Sequence, residues 1–202
     1  MGSKAALVFL GEERPLDALL DPPEIDLAAS KDLAVAVLGA EVREVDRYPL
    51  VEAPWPERGT VCAASFSRFA IVACRDLAHG KPSELSDWVR SQAPNGNARA
   101  VFMHSGVDFG ALAVWERGEV RRSVSLTADG IAEDIGEPYP FELPFWAGEH
   151  PLDHAPDYPL PFHPLDLGNA AMAEWFGFVI EGVRPKTCID AEAIEIPVFR
   201  GV

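Results

Sequence analysis

Between Ser123 and Val183 the chain has no lysine and no arginine. The same stretch holds eleven Asp or Glu, so it carries about −11 of the formal −15 net charge of the 202 residues. Such a surplus opposes approach to DNA, RNA and anionic lipid, all of which are recognised through clustered Lys and Arg. Neither nucleic acid nor a membrane surface is an expected partner. Long apolar runs are missing too. The longest near the N-terminus, Ala5 to Leu10, is shorter than a signal-peptide core or a membrane span, and Glu12, Glu13 and Arg14 soon follow it. A cytoplasmic protein is expected. Met1-Gly2 does not complete a myristoylation signal, because Ala6 stands where Ser or Thr is required.

Cysteine is scarce. Cys62, Cys74 and Cys188 are odd in number and form no C-x-x-C pair, which argues against a disulfide framework and a zinc knuckle and for reduced thiols. One alternative stays open: with a tight hairpin at Phe66 to Phe69, Cys62 and Cys74 fall nearly opposite each other. The P-loop, G-x-G-x-x-G, G-x-S-x-G and H-E-x-x-H patterns are absent, which removes the best support for nucleotide binding and for the common hydrolases.

What is present is ordinary globular composition, 48% hydrophobic and 24% charged, in a length that suits a single domain over residues 1–202. Ala5 to Leu10 reads as a buried, central strand ended by Gly11. Leu27, Leu33, Val37 and Leu38 recur at near-helical spacing up to Gly39, a helix stop. Glu41 to Leu50 is strand-like before the prolines around Trp55. Thr60 to Phe66 and Phe69 to Cys74 form a hairpin, and Pro82 to Val89 starts a short helix. Ala100 to His104, Phe109 to Trp115 and Val120 to Leu126 form a meander with its second turn at Glu116–Glu119. From Gly136 to Pro164, eight of the eighteen prolines alternate with aromatic residues. Proline excludes helix and central strand there, and the aromatics exclude a disordered linker, so an ordered loop is expected. Gly168, Ala171, Met172, Trp175, Phe176 and Val179 then mark a helix with Gly182 as its stop, and Ile194 to Phe199 a last strand. The sum is an α+β fold, a mixed, mostly antiparallel sheet with about three helices packed on it and a long Pro/aromatic loop.

Several strings resemble an uncharacterised bacterial, actinobacterial-type family of similar length. They are Phe102-Met103-His104-Ser105 with Asp108, Ile135-Gly136-Glu137-Pro138 with Phe141-Glu142, Phe145-Trp146-Ala147-Gly148-Glu149, and Tyr158 to Leu165 followed by Phe176-Gly177-Phe178. The likeness covers most of the chain and departs at Gly106 and Phe109, where larger residues are expected. It implies a domain of unknown function, with no activity, cofactor or substrate attached.

Three constellations could carry chemistry. His104 and Asp108, at a strand end with Ser105, have the parts for a general base and its orienting acid, although a hairpin loop favours the same residues. His150, His154 and His163, interspersed with Asp153, Asp157 and Asp166, form a usable metal-ligand set, although proline-rich loops also expose polar residues by default. The acidic field could hold a cation. Glu142 and Glu149 flank Trp146, which pairs an indole face with carboxylates, although charge runs usually mark solvated surface. Two functions follow. The leading one is a non-catalytic binding or regulatory protein whose loop engages a basic protein or a cationic small molecule. The alternative is a small, hydrolase-like enzyme, with or without metal, that uses His104 as base.

Overall fold

The computed structural model describes residues 2–152, 158–182 and 184–202. The apolar run forms β1 (Lys4–Leu10), whose residues alternate between two cores: Ala5, Leu7 and Phe9 enter one, Ala6, Val8 and Leu10 the other. Apolar side chains on both faces without a polar alternation require a strand covered on both sides. Among the described residues β1 is accordingly the middle strand of nine.

The others are β2 (Val42–Pro49), β3 (Thr60–Ser65), β4 (Ala70–Ala73), β5 (Ala98–His104), β6 (Phe109–Glu116), β7 (Glu119–Thr127), β8 (Gly130–Ile135) and β9 (Glu195–Gly201). Their order is β2-β9-β3-β4-β1-β5-β6-β7-β8, and every named pairing is antiparallel. The α+β expectation holds, with the sheet more dominant than foreseen and five α-helices among the described residues rather than three.

One face is covered by α1 (Pro15–Leu19), α4 (Leu143–Trp146), α5 (Pro164–Ala171) with its π-helical continuation Met172–Phe176, and the Pro/aromatic loop. The other face packs against α2 (Leu27–Leu38), α3 (Ser86–Gln92) and short 3-10 turns. α2 starts where the Asp26 carboxylate accepts the Ala29 amide at 3.0 Å and ends at Gly39, which has φ 66°. The α5 turns stop at Gly177, φ 72°, five residues before the expected Gly182, and a Cβ at Gly177 would lie 2.3 Å from Leu16. No helix among the described residues is long and apolar enough to cross a membrane.

Both edge strands carry a bulge: Val45 is the unpaired residue in β2 and Ala132 in β8. Such kinks keep a free sheet edge from templating another strand. A third bulge, at Arg121 in β7, has a different consequence. It puts Val120 opposite Trp115 and Arg122 opposite Val114, so that Val120 faces the α3 side and Arg122 the loop side.

The tight hairpin at Phe66–Phe69 forms, but Cys62 pairs with Ala73, not Cys74. The one-residue offset turns Cys62 into one core and Cys74 into the other, and both are free thiols. Burial pushes the Cys62 thiol up to about 12. A raised thiol pKa leaves stability intact below the unfolded value near 9 and removes it progressively between pH 9 and 12. Urea unfolding at pH 10.5 is therefore expected to show a loss of about 2 kcal/mol from this thiol relative to pH 8, absent in Cys62→Ala.

Candidate functional site

β5 ends at His104 and β6 begins at Phe109, its register partner. In the turn between them the His104 Nδ1 accepts the Gly106 amide at 3.1 Å, and the ring stands edge-on to Trp55 at 5.2 Å. An Nδ1 that accepts leaves the proton of a neutral imidazole on Nε2. Asp108, held in the left-handed region at φ 47°, turns to His163: its Oδ1 lies 3.3 Å from the His163 Nε2. The expected His104–Asp108 pair is thus replaced by His163–Asp108. His163 also caps α5, its Nδ1 accepting the Leu165 amide at 3.2 Å. With Nδ1 accepting that amide and Nε2 facing the Asp108 carboxylate, His163 presents no open nitrogen to a metal in this arrangement. Tyr158 stacks on it at 6.2 Å, and burial, followed by the Asp108 charge, raises the Tyr158 phenol.

The other expected ligands lie apart. His150 is exposed and stacks on Phe145 at 4.0 Å. His154 lies outside the described residues, as do Asp153 and Asp157. Among the described residues no three His, Cys, Asp or Glu side chains converge to hold a metal ion.

Glu142 is not an open carboxylate. It is fully buried beside Arg122, also fully buried. The Arg122 Nε donates to the two Glu142 oxygens at 3.1 and 3.2 Å and Nη2 donates at 2.6 Å, while Glu142 accepts a further bond from the Tyr139 amide at 2.9 Å. The Arg122 Nη1 donates to Asp134 on β8 and to the Ile135 and Gly136 carbonyls at 3.1 and 2.9 Å. Burial alone would lower the guanidinium, but the bonds to Glu142 and Asp134 outweigh it and its pKa rises. Gly136 permits the approach: its φ is 78°, and a Cβ would lie 2.1 Å from the Arg121 carbonyl oxygen. Trp146 is half-buried and edge-on to Phe162 at 5.0 Å, whereas Glu149 is exposed. Glu142, Trp146 and Glu149 therefore do not share one surface.

At the end of the sheet where β1 begins lies a cleft of 450 Å³ bordered by Ser3, Lys4, Glu52, Trp55, Ile180 and Glu181. Lys4 is the register partner of His104. The Ser3 hydroxyl donates to Glu181 at 2.7 Å, which fixes that carboxylate at the rim. Trp55 carries the Arg75 guanidinium over its ring at 5.0 Å, and Arg75 is itself tied to the Pro56 carbonyl at 2.6 Å. Glu52 and Trp55 share one turn segment, whereas Glu181 lies far from them in sequence, and no spacing rule joins it to them. Among the described residues, neither His104 nor His150 nor His163 lines this cleft or the cleft beside Arg99.

Among the described residues, the nine-stranded antiparallel sheet with helices on both faces defines an α+β protein. The chain belongs to a family of unknown function, DUF6928, which matches residues 4–199. No curated protein and no solved structure matches it.

Removing one partner of a buried ion pair strands the other charge. Glu142→Gln is expected to lower the unfolding free energy by about 3 kcal/mol in urea titrations. Gly136→Ala is expected to lower it by about 2 kcal/mol through strain and the carbonyl clash, while far-UV circular dichroism stays native-like.

Proposed function

We propose that the chain is a non-catalytic binding or regulatory protein that takes a cationic ligand or the basic segment of a protein partner on its acidic face, in the cleft around Trp55. The observation that carries this reading is the grouping of an indole ring with the Glu52 and Glu181 carboxylates on the rim of one concave site. An aromatic face and a carboxylate attract a cation by quadrupole and by charge, and both gain from the partial exclusion of water in a cleft. Trp55 already carries one guanidinium, that of Arg75. The Ser3 hydroxyl holds Glu181 in place before any ligand arrives, which limits the ordering cost of binding.

The surrounding field acts in the same direction. Asp166, Glu174 and Glu181 of the lysine- and arginine-free stretch are exposed, so a basic partner is drawn in at low salt and held less tightly as salt is added. A single domain accords with one sheet that carries both cores, and a cytoplasmic setting accords with three free thiols.

The test is a titration of the 15N-labelled chain with spermidine and with a Lys/Arg-rich peptide. Saturable shifts are expected at the Trp55 indole and the Lys4 and Glu181 amides. Glu181→Gln should weaken binding about five-fold, and 0.5 M salt should abolish most of it. Shifts confined to other surfaces, or none, would sink the reading.

A further inference from the structure

On the loop-bearing face, one row of register partners runs Phe9–Arg99–Val114–Arg122 across four strands. It places two guanidiniums beside the apolar side chains Phe9 and Val114 of the loop-side core. Arg122 is saturated by Glu142, Asp134 and two carbonyls. Arg99 is not. Among the described residues its one hydrogen bond runs from Nη1 to the Glu13 carbonyl at 3.0 Å, and no carboxylate lies within ion-pair distance. Burial pushes this guanidinium below its ordinary value. A partly desolvated guanidinium whose N–H fork is mostly unused is costly to keep unless an acid completes it.

Arg99 lines a cleft of 230 Å³ with Glu12, Asn97, Glu116 and Arg117. The walls are rigid. Arg117 and Gly118 form a two-residue turn with φ 54° and 81°, pinned by the Gly118 amide on the Gly96 carbonyl at 2.9 Å and by Arg90 on the Gly118 carbonyl at 2.7 Å. The Arg117 amide donates to the Asn97 Oδ1 at 3.0 Å, which fixes the carboxamide so that its Nδ2 remains as a donor. The titratable lining is two cations, Arg99 and Arg117, and two carboxylates, Glu12 and Glu116.

A simple anion would meet the two carboxylates, and a simple cation the two guanidiniums. A ligand carrying both charges a few ångströms apart meets neither obstacle, and the cleft is smaller than the usual range for drug-sized ligands. We propose that this cleft binds a small zwitterion of the α-amino acid class, its carboxylate on Arg99 with Arg117 and Asn97, its ammonium on Glu116 and Glu12. A guanidinium accepts a carboxylate through two parallel bonds, which an ammonium cannot reproduce, so Arg99 is the anchor. The site lies at the opposite end of β1 from the Trp55 cleft and stands or falls independently of it.

The experiment compares L-alanine, acetate and methylammonium as probes of the full chain, followed through the backbone amides of Asn97, Arg117 and Gly118. L-alanine is expected to saturate these shifts in the millimolar range, with acetate and methylammonium about ten-fold weaker. Arg99→Lys, which keeps the charge and the stem, should weaken L-alanine about ten-fold. Should that variant fold poorly, Glu116→Gln at an exposed position should weaken L-alanine several-fold and leave acetate binding unchanged or tighter. The proposal is overturned by the absence of saturable shifts with L-alanine up to about 50 mM, by acetate binding as tightly as L-alanine, or by L-alanine binding that Arg99→Lys or, in its place, Glu116→Gln leaves unchanged.

Discussion

The burial of the Arg122 guanidinium is the constraint on which the covered face of this sheet depends. A fully buried cation is tolerated only when its donors are met, and meeting them here takes Asp134 from the neighbouring strand, two carbonyls at the start of the Pro/aromatic loop, and Glu142 from within it. Those bonds fix where the loop leaves β8 and where it turns into α4. Prolines stiffen the path between these points but do not choose it. With the path set, Tyr139 and Phe141 stand against Trp175 at 5.8 and 5.5 Å, and Phe145 and Trp146 close on Phe162. The strap is thus an aromatic layer over the sheet, held at its root by charge.

The same pairing changes the meaning of the acidic stretch. Glu142 and Asp134 serve Arg122, and Glu133 accepts from Ser83 and Ser123 beneath the α3 side. These acids are engaged by donors of the protein itself, Glu142 in full burial and Asp134 half exposed. Asp129, Glu137, Glu149, Asp166, Glu174 and Glu181 remain at the surface. The field felt by a partner is therefore smaller than the composition suggests, and it is displaced toward α5 and the rim of the Trp55 cleft.

Much of the architecture was legible in the residues because local signals and burial agree there. The unbroken apolar run of β1, the Asp26 and Gly39 ends of α2, the Phe66–Phe69 hairpin and the Glu116–Glu119 turn all follow from period, caps and turn chemistry. β8 escaped notice because Gly130-Ile131-Ala132-Glu133-Asp134-Ile135 has neither clean alternation nor β-branched density, as suits an edge strand. α1 and α4 are too short to display a period. The burial of Arg122 against Glu142 has no sequence signal, since a bulge one residue earlier decides which way Arg122 points, and bulges leave little trace in sequence. The His163–Asp108 pairing is hidden from the sequence for a related reason. Asp108 and His163 meet only through the packing of α5 on β6, a long-range contact that residue spacing does not encode. That packing is close enough for a Cβ at Gly110 to lie 2.2 Å from the Pro164 carbonyl oxygen.

The position of β9 has a consequence for synthesis. It lies between β2 and β3, and among the described residues β2 has no other partner in the sheet. At ordinary elongation rates the interval between making Pro49 and making Glu195 is on the order of ten seconds. Throughout it Val42–Pro49 waits without its hydrogen-bonding neighbour, while the local meander β5 to β8 is free to form. The charges spaced along the waiting strand, Arg43, Glu44, Asp46 and Arg47, keep it soluble on the ribosome until its partner emerges.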